Sequence, residues 1–373
     1  VWGHRPFPFT LRPSDPRCLD LVRDLCDELL PHFNSKLFNV GMDETVDLGR
    51  GRSEQECKER GVGVVYLEYL MKVYEEVKKR GHTMLFWGDI IMHHPELIPQ
   101  LPKDVIALDW GYEANDPFFE HGEKFKAAGI PFWVCPGTST WLTVAGRTEN
   151  CLKNIENAAS NGLAQGATGL LNTDWGDQGH WQYLPVSYLG FLAGAGASWN
   201  AGSNGFDSIA KALSTLVFRD KAGLMGGIAY DLGNAYLQIE KKIHNSTVIF
   251  QALAKPLDTT TMIEDVKPEE YDAAEAVIRK ALADLDRTQM GAPDAQLIKD
   301  EYTNACRMLL LGCAMARIRY DIKDGRDVSA AKAAARKELE AIIAEHDRLW
   351  LARNRPGGLV DSRKRLEDRL AEL

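Results

Sequence analysis

The 373-residue sequence lacks the features that mark several large classes of protein. It has no apolar run of about 20 residues, the length that a membrane-spanning helix needs. It also has no glycine-rich phosphate loop after an early apolar segment, as a dinucleotide-binding domain would. Basic residues are outnumbered, because 44 Lys and Arg stand against 53 Asp and Glu, giving a formal net charge of -9. We therefore expect no nucleic-acid partner and no anionic membrane partner, since both favour a basic face.

Cysteine usage also excludes some chemistry. The seven cysteines are odd in number and none lies in a CxxC pair, which favours buried free thiols over a disulfide framework. His93 and His94 precede a proline and match no zinc spacing, so we expect no metal and no cofactor. Free thiols indicate a reducing compartment, and we expect a cytoplasmic location. The chain begins at Val1 rather than Met, so we expect its true start to lie upstream.

Short apolar segments alternate with amphipathic ones between Asp15 and about Asn200. Helical periodicity is clearest over residues 53–80 and 148–165, and Ser14 is expected to cap the first helix. Five segments are predicted as strands: residues 37–41, 83–87, 105–110, 131–135 and 168–173. Alternation of this kind predicts a parallel sheet covered by helices on both faces.

The loops at the two ends of these strands differ in composition. Polar, aromatic or glycine-rich loops follow the strands, whereas the opposite loops are plain. This asymmetry favours an α/β fold of the (β/α)8 TIM-barrel type, whose site lies at the carboxyl ends of the strands. Because such a barrel closes with eight strands, we expect this chain to hold its C-terminal five strands and to lack the first three. The open barrel edges, or the helical region, are expected surfaces for a homo-oligomer.

The strand signal ends near residue 204. Five helical patterns follow it, at residues 206–220, 225–253, 267–289, 296–323 and 328–353. We therefore predict a partial barrel domain over residues 1–203. An all-α C-terminal domain without chemistry of its own is predicted over residues 204–373.

Carboxylates and tryptophans follow the predicted strands. Asp43 and Glu44 come directly after the first strand, and each of the other four strands has a tryptophan at or just beyond its end: Trp87, Trp110, Trp141 and Trp175. Indole rings stack on the apolar faces of sugars, and carboxylates bind sugar hydroxyls. The pattern therefore predicts a sugar site, although a tryptophan at a strand end is often ordinary core.

Three other residues at these strand ends have plainer interpretations. Asp89 and Asp109 are placed to cap the helices that follow them. His180 is expected to be a structural hydrogen-bonding residue rather than a base.

The run Asn39-Val40-Gly41-Met42-Asp43-Glu44-Thr45, followed by Leu48-Gly49-Arg50-Gly51-Arg52-Ser53, resembles family 20 glycoside hydrolases, the β-N-acetylhexosaminidases. The resemblance extends over about residues 1–200. It implies a retaining exo-glycosidase that removes terminal β-linked N-acetylglucosamine or N-acetylgalactosamine. The expected partner is therefore a β-N-acetylhexosaminide substrate.

The resemblance also implies a substrate-assisted mechanism. Glu44 would be the general acid that protonates the leaving glycosidic oxygen, and would then act as base on the incoming water. The acetamido oxygen of the substrate would attack the anomeric carbon, forming an oxazolinium ion. Asp43 would orient the acetamido nitrogen and stabilise its developing positive charge.

The remaining sugar contacts are implied residue by residue. Trp87, Trp110 and Trp175 would wall the acetamido group, Asp177 would bind distal hydroxyls, and Trp141 would stack on a sugar at an outer subsite. The family places a tyrosine after the seventh strand of the barrel, which corresponds to residues 131–135 of this chain. The loop that follows, residues 136–141, has no tyrosine, and Tyr112 and Tyr183 are the candidates to replace it.

Two alternatives stay open at this point. The chain could be a carbohydrate-binding relic without activity, or a glycosidase with a carboxylate nucleophile, Asp177 or Asp89, acting with Glu44. One structural prediction separates the acid pair from an ordinary strand. Successive strand residues point to opposite faces, so Asp43 and Glu44 reach one pocket only if the backbone turns between Met42 and Thr45.

Overall fold

The computed structural model describes residues 9–202, 205–259, 261 and 263–373, and these contain a single five-stranded sheet. The strands are β1 (Leu37–Asn39), β2 (Thr83–Trp87), β3 (Ile106–Trp110), β4 (Phe132–Cys135) and β5 (Gly169–Leu170). Every neighbouring pair is parallel, and the strands follow one another in chain order. The predicted α/β class is confirmed, with five strands of a (β/α) barrel type.

The register of the sheet brings the strand ends to one edge. Asn39 pairs with Leu85, and Trp87, the last residue of β2, pairs with Leu108. Phe86 and Leu108 are fully buried, as expected for short apolar strands covered on both faces. Because the strands are parallel, the loop after β1 lies at the same edge as the ends of β2 and β3.

The helices that the structure describes surround the strands or follow them. They are α1 (Pro16–Leu29), α2 (Glu54–Arg60), α3 (Val62–Lys79), α4 (Asp89–Met92), α5 (Phe118–Ala128), α6 (Thr148–Gln165), α7 (Tyr188–Trp199), α8 (Ile209–Ala212), α9 (Met225–Leu232), α10 (Val248–Ala254), α11 (Pro268–Leu285), α12 (Ala295–Lys323), α13 (Ser329–Arg353) and α14 (Leu359–Leu370). The region after residue 204 is helical, as predicted.

Local sequence signals explain several helix boundaries. Asp15, not the expected Ser14, is the N-cap of α1, and its side chain accepts a hydrogen bond from the backbone N–H of Arg17. Gly61 adopts a φ of 88° and divides the predicted helix over 53–80 into α2 and α3. Gly129, with φ 65°, ends α5 in the left-handed conformation that glycine readily adopts.

Two further differences from the predicted helices lie in the C-terminal region. The pattern over residues 225–253 is broken between α9 and α10, where Thr247 starts a new helix by accepting a hydrogen bond from the N–H of Phe250. The last helix, α14, was not predicted. Its apolar content is low, and Leu366 is one of only two residues it buries. A short helix of low apolar content is marginal in isolation, so its presence depends on tertiary packing.

The chain folds into two compact units that do not follow a single cut in the sequence. The first unit consists of the chain through residue 111 together with 116–136 and 157–171, and it contains the whole sheet. The second consists of 112–115, 137–156 and 172–373. Three segments before residue 204 thus group with the C-terminal helices. The division into domains 1–203 and 204–373 stays a prediction.

One side of the first unit exposes apolar residues. Leu25 and Leu29 of α1 and the following Phe33 are largely exposed, and no described strand pairs with the outer edge of β1. Self-association through this edge stays a prediction. Within the described ranges, no helix combines the length and the apolar character needed to cross a membrane.

Candidate active site

The loop after β1 carries the acid pair on a turned backbone. Gly41 and Met42 both have φ of 77°, and Glu44 has φ of 47°. These left-handed conformations are rare for residues with a side chain, and they take the chain out of strand geometry. The predicted turn between Met42 and Thr45 is confirmed. Asp43 is exposed and Glu44 is partly exposed, so neither carboxylate is packed into the interior.

Two long-range hydrogen bonds hold this turn. The Tyr66 hydroxyl, on α3, donates to the backbone carbonyl of Met42 over 3.0 Å. The carboxylate of Asp89, at the start of α4, accepts from the backbone N–H of Glu44 over 3.0 Å. Burial raises the pKa of Tyr66 well above its usual value, and the carboxylates of Asp89 and Asp43 add to that rise. Tyr66 therefore remains a donor across the physiological range.

Trp87 and Trp110 lie beside this turn. The backbone N–H of Trp87 donates to the carbonyl of Gly41 over 3.0 Å, which joins the end of β2 to the acid loop. The Trp110 side chain hydrogen-bonds to the Asp89 carboxylate, which also holds Glu44. The first unit therefore brings together the acid pair and the tryptophans of β2 and β3.

Asp89 is a positioning residue rather than the helix cap that the sequence suggested. It is the first residue of α4, the cap position is Gly88, and no side-chain capping bond is made there. Burial raises the pKa of Asp89, whereas its bonds to Glu44 and Trp110 act in the opposite direction. Its place in the fold thus links the acid loop to Trp110.

Asp109 also has a different role from the one expected. It is buried within β3, and its Oδ1 lies 2.9 Å from Nδ1 of His121 on α5. Burial raises the pKa of Asp109, and the hydrogen bond from His121 lowers it. Asp109 precedes Trp110 directly, and alternate strand residues point to opposite faces. It therefore belongs to the packing between strand and helix.

The second unit contains an aromatic cluster formed by Tyr112, Trp141 and Trp175. The Trp175 indole N–H donates to the Tyr112 hydroxyl over 2.9 Å. The Tyr112 and Trp141 rings meet edge to face, with centroids 5.0 Å apart. Trp175 is 38% exposed, whereas Trp141 is only 1% exposed. This corrects the expected role of Trp141, because a buried ring supports Tyr112 instead of offering a face to a sugar.

Asp174 anchors the loop after β4 to the loop that carries Trp175. Its Oδ1 accepts hydrogen bonds from the hydroxyls of Thr138, Thr140 and Ser187, over 2.6, 2.8 and 3.0 Å. A carboxylate that accepts three hydroxyl bonds is a strong local constraint, because each is charge-assisted. These three bonds therefore fix the position of the chain immediately before Trp175.

The structure separates the remaining candidates in the second unit. Asp177 is exposed on the same loop, and the surrounding protein raises its pKa through desolvation. Tyr183 is buried, and its hydroxyl lies 3.2 Å from Nδ1 of His346 and 2.8 Å from the Asn304 amide. Tyr183 thus belongs to the helical core and is excluded as the replacement for the missing tyrosine. Tyr112 remains.

A cavity of about 770 Å³ opens beside Asp43, between α1 and β1. Its walls are mostly apolar and include Leu25, Leu29 and Val40. Saccharide sites need several hydrogen-bonding groups around the ring, so this cavity does not match a sugar well. The acid loop, not the cavity, therefore defines the candidate site.

A parallel (β/α) sheet that presents carboxylates and tryptophans at the carboxyl ends of its strands is typical of barrel-type glycoside hydrolases. Residues 2–175 match the family model described as glycosyl hydrolase family 20, catalytic domain. This part of the chain belongs to glycosyl hydrolase family 20. No curated protein matches the chain.

Solved structures resemble the chain only loosely. A chitobiase of Flavobacterium johnsoniae has 15% sequence identity and a TM-score of 0.46, over 99% of this chain and 61% of the chitobiase. A GH138 enzyme targeting pectin rhamnogalacturonan II has 12% identity and a TM-score of 0.40, over 91% of this chain and 47% of that enzyme. The chain thus spans less than two thirds of either protein.

Sequence reasoning missed two residues that shape these loops. Tyr66 lies in the middle of a long helix, and nothing in its neighbourhood distinguishes it from other buried aromatic residues. Asp174 directly precedes Trp175 in the run Asp174-Trp175-Gly176-Asp177, so its position beside a candidate site residue was a usable signal.

Proposed function

We propose that the chain provides the acid pair of a retaining β-N-acetylhexosaminidase that acts on terminal β-linked N-acetylglucosamine or N-acetylgalactosamine. One observation carries the proposal. The turn after β1 places Asp43 and Glu44 next to each other at the carboxyl edge of the sheet, with neither side chain buried. Membership of residues 2–175 in glycosyl hydrolase family 20 supports the same reaction.

In the proposed reaction the two carboxylates have different tasks. Glu44 protonates the glycosidic oxygen as the bond to the anomeric carbon breaks. The acetamido oxygen of the substrate forms the new bond to that carbon, which gives an oxazolinium ion, and Asp43 stabilises the charge on its nitrogen. Glu44 then removes a proton from the water that opens the ring. Two displacements at the same carbon retain the configuration.

The hydrogen bonds from Tyr66 and to Asp89 hold the turn in a way that is consistent with separate roles for the two carboxylates. Tyr66 and Asp89 hold the backbone on either side of Asp43, so the separation of the two carboxylates does not depend on their own side-chain contacts. A preorganised pair loses little entropy on reaching the transition state. Trp87 and Trp110, beside the turn, are the proposed walls for the acetamido group.

The contacts proposed for the second unit are considered separately. Trp175 offers an exposed aromatic face, and Asp177 offers an exposed carboxylate on the same loop. The Tyr112 hydroxyl accepts from the Trp175 indole, which fixes both rings, and we propose Tyr112 as the donor to the acetamido oxygen. These roles stay predictions from the sequence pattern.

The alternative mechanism, in which a carboxylate is the nucleophile, has two candidate residues, and the structure argues against one of them, Asp89. Asp89 is occupied by the Glu44 backbone and by Trp110, and it is only partly exposed. A nucleophile must instead reach the anomeric carbon of a bound sugar. Asp177 is not weakened by this argument, and the experiment below includes it.

We also propose a cytoplasmic location, and the cysteines support it. All seven cysteines are free thiols, and six of them are buried. Free thiols are typical of reducing compartments.

The test is hydrolysis of para-nitrophenyl β-N-acetylglucosaminide and its galacto counterpart. Glu44→Gln should lower kcat by roughly 10² to 10⁴-fold, the usual contribution of a general acid. Glu120→Gln, on the exposed face of α5, is the matched control and should hydrolyse both substrates like the parent. Equal turnover by Glu44→Gln and Glu120→Gln would refute the role of Glu44.

A thiazoline analogue of the oxazolinium ion separates the mechanisms. Tight inhibition that is weakened by Asp43→Asn supports substrate assistance. Indifference to the analogue, together with loss of activity in Asp177→Asn, supports a carboxylate nucleophile. Binding of the analogue without any turnover identifies a carbohydrate-binding relic.

A further inference from the structure

A second cavity lies within the helical unit, beside the segment that carries Tyr112, because Glu113 and Asn150 line it and the Asn150 amide donates to the Tyr112 carbonyl over 2.7 Å. Its volume is about 290 Å³, and residues 113–114, 147–153 and 236–249 contribute to its lining. Four cationic side chains and two carboxylates line it: Arg147, Lys153, Lys241, Lys242, Glu113 and Glu149. An excess of positive charge is notable in a chain whose formal net charge is -9.

Both carboxylates of the cavity are already engaged. Glu149 forms an ion pair with Lys153 one turn along α6. Glu113 accepts from Nη1 of Arg147 over 2.9 Å and from the backbone N–H of Asn245 over 2.7 Å. These ion pairs compensate the single charges of Lys153 and Arg147. Arg147 uses only its Nη1 in the pair with Glu113, so its other donors are not accounted for.

Arg147 carries the unused donors. It is 4% exposed and lines the cavity, and among the described residues its Nε and Nη2 have no hydrogen-bond acceptor. Buried N–H groups without an acceptor are unfavourable, especially on a charged group. The Nε and Nη2 edge of a guanidinium is a planar fork that matches two oxygens of a carboxylate or sulfate.

Lys242 supplies a second cation at the open side of the same cavity. Its ammonium group donates to the backbone carbonyls of Tyr236 and Ile239 and lies 5.4 Å from the centre of the Tyr236 ring. In the part of the chain that the structure describes, it forms no ion pair with a carboxylate. Lys241, in contrast, is paired with Glu264 at 3.4 Å.

Tyr236 lines the same cavity as Arg147 and Lys242. Burial raises the pKa of Tyr236 to about 12, and the charge of Arg147 acts against that rise. Lys242 lies over the same ring. Arg147, Tyr236 and Lys242 therefore all belong to the lining of this one cavity.

We propose that this cavity binds a small oxyanion, a sulfate or a carboxylate, between the fork of Arg147 and the ammonium group of Lys242. The anion supplies the acceptors that Arg147 lacks and the counter-charge that Lys242 lacks. The site goes beyond hydrolysis by the acid pair and does not depend on it. The oxyanion is either a free ion or a substituent on a sugar, and the experiment distinguishes these sources.

The experiment is calorimetric titration of the full chain at constant ionic strength with three probes. The probes are inorganic sulfate, a galactose sulfate, and unsulfated galactose as the neutral counterpart. Galactose has no acetamido group, so the proposed catalytic site does not compete. Sulfate and the sulfated sugar should bind, and galactose should not. No binding of either anion would overturn the proposal.

Two variants locate the binding. Lys242→Gln should weaken anion binding roughly tenfold, because it removes one charge-assisted bond. Lys211→Gln, an exposed lysine of α8 outside the cavity lining, is the matched control and should leave binding unchanged. If both variants bind alike, the anion binds elsewhere and the proposal is wrong.

Arg147→Lys keeps the positive charge but removes the fork, so it should also weaken binding. If this variant fails to fold, Lys242→Gln still decides the outcome. In nitrogen-labelled protein, the Nε–H resonance of Arg147 should shift on anion addition in the parent. Tighter binding of the sulfated sugar than of inorganic sulfate would identify a saccharide substituent, and equal binding would identify a free ion.

Discussion

The loops that follow β1 and β4 both contain residues with positive φ, yet they bury very different amounts of side chain. In the first loop Met42 and Glu44 have φ of 77° and 47°, and Asp43 between them is exposed. In the second, Ser139 and Val144 have φ of 55° and 72° and are 1% exposed. The same unusual backbone therefore presents side chains in one loop and packs them in the other.

The difference lies in what holds each loop. The loop after β1 is fixed from outside, by Tyr66 and Asp89, which bond to its backbone and leave its carboxylates available. The loop after β4 is fixed by its own hydroxyls, which converge with a third hydroxyl on Asp174. Substitutions in the first loop should therefore change activity, and substitutions that disturb the second should change stability.

The largest expected effect concerns the helical unit that contains the loop after β4. His346 is fully buried there, between Tyr183 and Ser362, and burial lowers its pKa from 6.5 to about 4. The unfolded state binds the proton more tightly, so stability is fully present above pH 6.5 and is lost as pH falls toward 4. The gap between these two pKa values corresponds to about 3 kcal/mol of unfolding free energy.

Urea unfolding at pH 7 and at pH 4 measures this loss. His346→Gln lowers stability at both pH values but should remove about 3 kcal/mol of the pH dependence. His32→Gln, an exposed histidine just after α1, should keep the pH dependence of the parent. An unchanged pH dependence in His346→Gln would show that other groups cause the acid response.

The next effect concerns the anchor of the loop after β4. Asp174→Ala removes the acceptor of three hydroxyls, and we expect it to lower the unfolding free energy by about 2 kcal/mol. Asp177→Ala, on the same loop but outside this group of hydroxyl bonds, should change it by less than about 0.5 kcal/mol. Urea unfolding at pH 7 measures both. Equal losses in the two variants would remove the distinction drawn between the loops.

The smallest effect concerns the hydrogen bond from Tyr66 that holds the loop after β1. Tyr66→Phe removes the hydrogen bond to the Met42 carbonyl, so it should cost about 1 kcal/mol of stability and lower kcat more than it changes KM. Tyr69→Phe is a close control on the same helix. Tyr69 is also buried, but its hydroxyl has no partner among the described residues.

Thermal unfolding and hydrolysis of the aryl substrate measure these two variants. Tyr69→Phe should leave both properties nearly unchanged. If Tyr66→Phe behaves in the same way, the turn is held by its own sequence and not by α3.

Much of the fold was predictable because it depends on local periodicity. The five strands lie where apolar runs predicted them, although β1 is shorter because its continuation at Gly41 and Met42 turns away. Helix α6 has the predicted bounds, and the turn at the acid pair followed from the alternation of strand side chains. Family membership depended on one short run of residues after β1.

The roles of individual polar residues were much less predictable. Asp89 was expected to cap α4 but bonds to Glu44, 45 positions earlier in the chain. Tyr183 was a candidate for sugar binding but lies in the helical core beside His346. Each outcome depends on a partner that is distant in sequence, and no local pattern encodes such a partner.

The sequence by itself determined the alternation of strands and helices, the helical C-terminal region and the place of the acid pair at a strand end. These depend on side-chain periodicity and on steric limits that act within a few residues. Only the tertiary structure decided that Trp141 is buried, that Asp89 and Tyr66 hold the turn, and that Arg147 keeps two donors without acceptors. Burial and hydrogen-bond partners are properties of packed surfaces, which form only when distant segments of the chain meet.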